Sequence, residues 1–463
     1  MAEKDELQVD DILKTNRRLN EQVKELTQQN ESLLETIREL EGDIKELQKK
    51  SGNGKTSVKK KGITVMYISF GGFKSIQEGE STDDLYDLLD EIYIKFDEIA
   101  DKHKLERIKS IGDDYICAGG ITEKRSTNPI DICLAALKMK AYLQELKAAK
   151  FTEGDGFWNV KIGIHSGNGM VEEEKSRRKK ATFNLTGEVI NTVPRVASLC
   201  EAGEIVISDY TYEIVKGYFS CEYTGDLPVK YRGNMGLYQL KRIKRIYSED
   251  RKEGIKPNAD FTLKYHLKEF NDIEEKVIDF LIKNLPGHLF YHDYTHTIDV
   301  VNQAELIGYG EGVSDHQILL LKTAALFHDT GHTIESNGHE EHSCTIAREW
   351  LTEYNYSEEQ ISEICNIIMA TKMPPNPQTL LQRIICDSDL DYLGRTDFIP
   401  TSNALYKELE AIGVMNDINE WNKLQIKFLS GHQFYTATSR RLREVNKQSQ
   451  IDRIQKLVVE EGE

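Results

Sequence analysis

The chain has no CxxC pair among its seven cysteines, no long apolar run and no excess of positive charge. Cys117, Cys133, Cys200, Cys221, Cys344, Cys365 and Cys386 are scattered. That pattern excludes a disulfide frame and is expected of reduced thiols in a cytoplasmic protein. The roughly 18–20 apolar residues needed to span a bilayer are missing. Met1 to Asp11 is acidic and polar, so no signal peptide is expected there. With 60 Lys and Arg against 77 Asp and Glu, the formal net charge is -17. A chain of that balance repels phosphate backbones, so no nucleic-acid partner is expected. Its 463 residues exceed one ordinary core and imply two or three domains.

What the chain has in abundance is histidine in one place. Most of its 12 histidines fall between Tyr291 and His342, among them His292, His296, His328, His332, His339 and His342. Asp329 follows His328 directly. Neutral imidazole and carboxylate together form a ligand set for divalent transition metals. A metal so held can make water a nucleophile at neutral pH. The stretch therefore reads as a metal hydrolase, and mixed His/Asp sites accept Mn, Mg, Fe or Zn.

Residues 1–49 carry a heptad repeat. Leu19, Leu26, Leu33, Leu40 and Leu47 share one position, and Asn16, Val23, Asn30, Ile37 and Ile44 share a second. Leucine at d with β-branched residues at a favours two parallel strands, and in-register asparagines specify the pairing. A parallel coiled coil and a homodimer are expected. Residues 50–62, with Gly52, Gly54 and a lysine run, read as a flexible linker.

Residues 63–245 alternate strand and helix signals. Strands are expected over Ile63–Phe70, within Ile108–Ala118 as a hairpin, over Val160–His165 and over Ile205–Ser208. Helices are expected over Leu85–His103, Ile130–Ala148 and Glu188–Leu199. The result is an α+β domain on one sheet. Ile108-Lys109-Ser110-Ile111-Gly112-Asp113-Asp114-Tyr115, Gly71-Gly72-Phe73, Ile162 to Gly167 and Asn191 to Ser198 occur in order. They resemble class III nucleotidyl cyclases, which implies a ferredoxin-like fold and a domain that works as a dimer. The resemblance implies two metal carboxylates, of which Asp113 is present. The other falls at Ser69, and a hydroxyl is a poor substitute at a hard-cation site. It further implies Lys109 and Asn184 for the base, Asn191 and Arg195 for the transition state, and Lys230 or Arg232 for the triphosphate. Nucleotide binding is better kept than turnover. Residues 246–259, charged and containing Gly254 and Pro257, read as a second linker.

Residues 260–463 show only helical periodicity, so an all-α domain is expected. His292 and His296 are four apart, on one face of a helix or its entry turn. A carboxylate from Cys386-Asp387-Ser388-Asp389 would close the ligand shell, with Asp387 and Asp389 as alternatives. The arrangement His…His-Asp…Asp is identified as that of the HD phosphohydrolase superfamily. Within it, Tyr291 to Val300, His328 to His332 with Ser336-Asn337, and Ser388-Asp389-Leu390 resemble mammalian-type cyclic-nucleotide phosphodiesterases. That resemblance implies His296, His328, Asp329 and Asp389 as metal ligands and His292 as the acid for the leaving oxygen. It places His332 near a second metal and Asp329 between the two ions. Asp293 and Ile334 depart from the pattern, and His339 and His342 suit bacterial HD proteins with an enlarged second site. Gln425 is a weak candidate for reading a purine. Arg440, Arg441 and Arg443 read as a solvated face or as phosphate partners.

Three functions stay open on the sequence. One is a phosphodiesterase regulated by nucleotide in the cyclase-like domain. The others are an active cyclase whose product the HD domain degrades or senses, and a non-enzymatic scaffold.

Overall fold

A computed structural model describes residues 57–71, 82–108, 114–150, 159–174, 182–229 and 233–459. The expected coiled coil of residues 1–49 lies outside them, as do Lys109, Asp113, Lys230 and Arg232. Among the described residues no helix is long and apolar enough to cross a membrane. All seven cysteines are free thiols.

The first half of the chain builds a mixed sheet. Its strands are β1 (Ser57–Gly71), β2 (Glu106–Arg107), β3 (Tyr115–Gly119), β4 (Asn159–Glu174), β5 (Thr182–Thr186), β6 (Ile205–Ser208), β7 (Phe219–Val229) and β8 (Gly233–Ile243). The order is β2-β3-β1-β4-β6-β8-β7, with β5 beside β4. β1 and β3 pair antiparallel, while β4 and β6 pair parallel. Helices α1 (Thr82–Lys102) and α2 (Asn128–Lys150) connect β1 to β2 and β3 to β4. That is the β-α-β-β-α-β arrangement, in the order β4-β1-β3-β2. α3 (Glu188–Ser198) and α4 (Asp209–Val215) complete this part. Met66, Ile68, Phe96, Tyr115, Cys133 and Ile164 lie in its core. Residues 170–174 and 182–185, where β4 ends and β5 begins, fall with residues 57–59 in a unit separate from the rest.

The stretch read as a second linker is folded. The Asp250 carboxylate accepts from Ser248 Oγ at 2.5 Å and from the N–H groups of Ile255 and Lys256 at 3.1 and 3.2 Å. These local bonds close a compact loop. Asn258 then caps α5 (Ala259–Asn284), accepting from Phe261 N at 3.0 Å. Phe261 packs into the core beneath the sheet, whereas Phe270, Ile273, Val277 and Leu281 pack into the helical core. One 26-residue helix thus belongs to two cores.

The second half is helical, with α6 (Tyr294–Gly310), α7 (Asp315–Phe327), α8 (His339–Glu353), α9 (Glu358–Ile368) and α10 (Leu380–Asp389). α11 (Phe398–Ala411) and α12 (Ile418–Gly431) follow. α7 is buried from Ile318 to Phe327 except at Lys322, with a Ser314/Gln317 capping box at its start. It is the central helix, and its C-terminal end delivers His328 and Asp329 into the interior.

Candidate metal centre and substrate cavity

Each ligand candidate is aimed by a local device. Asp293 caps α6, accepting from the N–H groups of Thr295 and His296 at 2.8 and 3.0 Å. The cap fixes His296 in the first turn, which accounts for an aspartate at that position. His328 Nδ1–H donates to Ala325 O at 2.7 Å, and His339 Nδ1–H donates to Ser336 O at 3.1 Å. A carbonyl only accepts, so each ring presents its Nε2 to the site.

These atoms converge on two carboxylates. His296 Nε2 lies 3.1 Å from Asp389 Oδ1 and 3.5 Å from Asp329 Oδ2. His328 Nε2 lies 3.2 Å from Asp329 Oδ2 and 3.6 Å from Asp389 Oδ1. Edges of about 3.0–3.4 Å are what ligand bonds near 2.1 Å produce in octahedral or tetrahedral shells. His339 Nε2 is 3.5 Å and His332 Nε2 is 4.0 Å from the other oxygen, Asp329 Oδ1. Donor atoms of His296, His328 and Asp329 form one close group, and those of His292, Asp329 and His332 form another. Asp329 is common to both.

The buried atoms pass a test for a cation. His328 Nε2, Asp329 Oδ2 and His332 Nε2 have no hydrogen-bond partner among the described residues. Unpartnered buried lone pairs facing one another are costly unless a positive charge sits among them. Burial, only partly opposed by Asp329, pushes the His332 imidazole down to about 3, which leaves it neutral, the form in which an imidazole can bind a cation. Burial disfavours charge on His328 too, but Asp329 and Asp389 raise it well above the ordinary range. Negative charge thus dominates the spot where a cation fits.

Asp387 does not join this group. It is fully buried and accepts from Tyr435 N at 2.9 Å, Thr436 N at 2.8 Å and Thr436 Oγ1 at 2.7 Å. Two residues along the helix is about 200° of turn, so Asp387 and Asp389 face opposite ways. His288 and His316 are exposed. Arg440 and Arg443 are committed elsewhere, to Phe434 O at 2.8 Å and to Asp391 at 2.7 Å.

Two side chains without a sequence signal hold the site together. Glu408, on α11, sets His292: its carboxylate lies 2.6 Å from His292 Nδ1 and accepts from the N–H groups of Tyr291 and His292. Ser343 Oγ donates to His328 O at 2.6 Å and accepts from Gly331 N at 2.8 Å, tying α8 to the ligand loop. The fit there is tight, since a Cβ on Gly331 would stand 1.9 Å from His339 O. Gly331→Ala should therefore destabilise the fold by about 3 kcal/mol or more, because backbone cannot rotate aside. A melting curve checks this. An unchanged Tm would mean the loop is not pinned there.

Beside the ligands opens a cavity of about 300 Å³, lined among others by His292, Asp389, Leu393, Ser402, Gln425 and Phe428. Ser402 Oγ donates to the Gln425 side-chain oxygen, and Gln425 Nε2 donates to Asn422 Oδ1 at 3.4 Å. Gln425 is thus held with its amide at an apolar wall.

Four of the cyclase-like positions are described. Asn191 and Arg195 are exposed one turn apart on α3, and Arg195 Nη2 donates to Pro228 O at 2.6 Å. Asn184 is half-buried on β5. Ser69 is half-buried on β1, where Tyr67 Oη donates to Asp114.

Comparison with known proteins gives two family matches. The adenylate and guanylate cyclase catalytic domain matches residues 56–242, and the HD domain matches residues 293–391. A membrane guanylyl cyclase of Dictyostelium discoideum is 27% identical over 187 residues, 40% of this chain and 12% of that protein. An adenylate cyclase of Mycobacterium tuberculosis is 28% identical over 177 residues, 38% of this chain and 39% of that one. The chain thus spans well under half the length of these relatives. Among solved structures, the guanylate cyclase domain of RhGC from Catenaria anguillulae in complex with GTP is 26% identical, with a TM-score of 0.36 over 40% of this chain and 100% of that one. The adenylyl cyclase CyaB from P. aeruginosa is 23% identical, with a TM-score of 0.36 over 40% of this chain and 95% of that one.

Proposed function

We propose that this chain, which joins a class III adenylate/guanylate cyclase catalytic domain to an HD domain, is a cyclic-nucleotide signalling enzyme. Its HD domain hydrolyses a phosphodiester, a 3′,5′-cyclic nucleotide, and its cyclase domain binds nucleotide as a regulator. The observation that carries the reading is the convergence of buried, unpartnered imidazole and carboxylate atoms on Asp329.

His296, His328, Asp329 and Asp389 would hold one cation, and His332 and His339 with Asp329 a second. A divalent cation bound there supplies Lewis acidity towards a phosphoryl oxygen and eases ionisation of water. The remaining work falls to side chains. His292 stands at the cavity wall beside the ligands, with Nδ1 held by Glu408. Its free Nε2 can deliver a proton to the leaving ribose oxygen. Leu393 and Phe428 offer apolar surface to a base, and Gln425 an amide edge. The coil of residues 1–49 would pair two copies and so bring two cyclase domains together.

Incubating the manganese-loaded full chain with cyclic mono- and dinucleotides and nucleoside triphosphates, with products read by mass spectrometry, tests the proposal. Conversion of a cyclic mononucleotide to its monophosphate is expected. Conversion of triphosphates alone would replace the substrate class.

The regulatory role rests on Ser69, where a metal carboxylate is expected. Restoring it with Ser69→Asp should raise cyclase turnover about tenfold or more, the effect of only about 1.4 kcal/mol of recovered stabilisation. Strong cyclase activity in the unaltered chain, unimproved by the change, would favour the synthetic reading instead.

A further inference from the structure

Tyr354 closes the C-terminal end of α8, and its ring is 1% exposed. Three cations surround it. Arg125 Cζ lies 4.6 Å from the ring centre, Lys276 Nζ 5.2 Å and Lys104 Nζ 5.6 Å. Lys276 belongs to α5 in the helical half, but Arg125 and Lys104 come from the cyclase domain. Lys104 also donates to Glu353 O, the last carbonyl of α8. Arg125 is buried and reaches Glu269 of α5 at 3.4 Å. Next to it, Ser126 donates from both N and Oγ to Asp272, each at 2.8 Å.

The two cyclase-domain cations flank the antiparallel pair β2–β3 at its open end. Lys104 lies just before β2, and Arg125 lies on the loop after β3. In sequence, Lys109 and Asp113 fall between those strands. At its other end, α8 carries His339, beside Asp329, and Ser343, tied to the ligand loop. A 15-residue helix transmits a displacement across about 22 Å as a nearly rigid rod. Strands β2 and β3, the caged ring, α8 and the loop after α7 are joined by these contacts, a packed route of the kind that carries coupling between sites.

We propose that Tyr354 is the joint through which nucleotide bound by the cyclase domain sets the hydrolytic rate of the HD domain. This rests on the regulatory reading above and names its physical path. Attraction between a cation and a ring depends on the aromatic face and not on the hydroxyl. Tyr354→Phe should therefore preserve coupling, and Tyr354→Leu should remove it. Arg125→Met combined with Glu269→Gln neutralises the buried pair without leaving either charge alone.

The experiment uses the full chain loaded with manganese, cyclic AMP and cyclic GMP as substrates, and the α,β-methylene analogues of ATP and GTP, which cannot be cyclised. Analogue binding is measured separately by calorimetry. In the unaltered chain the analogue should change kcat/KM about fivefold or more, within the usual span of allosteric coupling. Tyr354→Phe should keep that change. Tyr354→Leu and the Arg125/Glu269 pair should bind the analogue with unchanged affinity, keep basal hydrolysis within about threefold, and respond less than about twofold. A full response in both altered proteins, or binding with no response in the unaltered chain, overturns the proposal. Absence of analogue binding in the unaltered chain overturns the regulatory reading itself, and this joint with it.

Discussion

Changing Asp329 to asparagine should lower phosphodiester hydrolysis by on the order of a thousandfold or more, the several kcal/mol expected when a metal centre is lost. Both oxygens of this carboxylate are in use. Oδ2 faces His296 and His328, and Oδ1 faces His332 and His339. An amide offers one oxygen and a poorly ligating NH₂, so it fails on one side of the site whichever way it turns. Bound metal, read by elemental analysis after dialysis, should fall with the rate. Asp389→Asn should follow the same pattern, because its Oδ1 completes the edge to His296. Asp387→Asn is the control of matched chemistry. It disturbs a carboxylate that accepts three hydrogen bonds from Tyr435 and Thr436, so Tm should fall while metal content persists. Full hydrolysis by metal-depleted Asp329→Asn protein would end the metal reading. Equal metal loss in the two helix variants would mean that the ligand register is wrong. No hydrolysis by the unaltered, metal-loaded chain would leave the non-enzymatic scaffold as the better account.

These carboxylates also show where sequence reasoning reaches and stops. His292, His296, His328 and Asp329 were legible because they crowd into one stretch with helical spacing, and imidazole beside carboxylate has few other uses. Asp387 and Asp389 were not separable, because the choice depends on the rotation of α10 about its axis. That rotation is set by Tyr435 and Thr436, whose N–H groups capture Asp387 from far along the chain. Glu408 carried no signal at all. It is one acidic residue in a helix of mixed character, 116 positions from His292. Ser343 was hidden likewise, since a serine inside a helix shows nothing of the carbonyl it will meet. Residues 246–259 read as a linker, though folded, because charge, glycine and proline mark free chain and tight turns alike. β7 and β8 left no clean alternation either. Their pairing slips at Ser220/Cys221 and Tyr223/Gly225, and β7 is buried only at Phe219 and Leu227. β6 was plain because burial on both faces gives an unbroken apolar run, but β1 was legible only over Ile63–Phe70: Ser57–Gly62, read as the end of the flexible linker of residues 50–62, extend the strand with largely exposed side chains that give no apolar signal.

Replacing Glu408 with glutamine should leave hydrolysis nearly intact at low pH and cut it by about 10–100-fold at high pH, the usual cost of losing the partner that orients a working histidine. Burial alone would make the His292 imidazole give up its proton early. Glu408, at 2.6 Å, overcomes this, and Asp329 adds to it, so the imidazole pKa is raised above the ordinary 6.5. Burial likewise opposes charge on Glu408, yet His292 and the N–H groups of Tyr291 and His292 hold its carboxyl below the usual range. Each partner thus stabilises the charged form of the other. A general acid works only while protonated, so activity persists below the raised pKa and is lost as pH rises through it. Glutamine keeps the shape and can still accept a hydrogen bond, but it carries no charge. Burial then dominates, the His292 pKa drops, and the basic limb of the kcat profile moves to lower pH. His292→Ala should lose on the order of 10²–10⁴-fold in kcat and abolish that limb altogether. Because Glu408 also accepts two backbone N–H groups, a purely structural role would lower the rate equally at every pH. A uniform loss in Glu408→Gln, with the basic limb unmoved, would therefore remove His292 from proton transfer and leave Glu408 as a brace for the Tyr291–His292 turn.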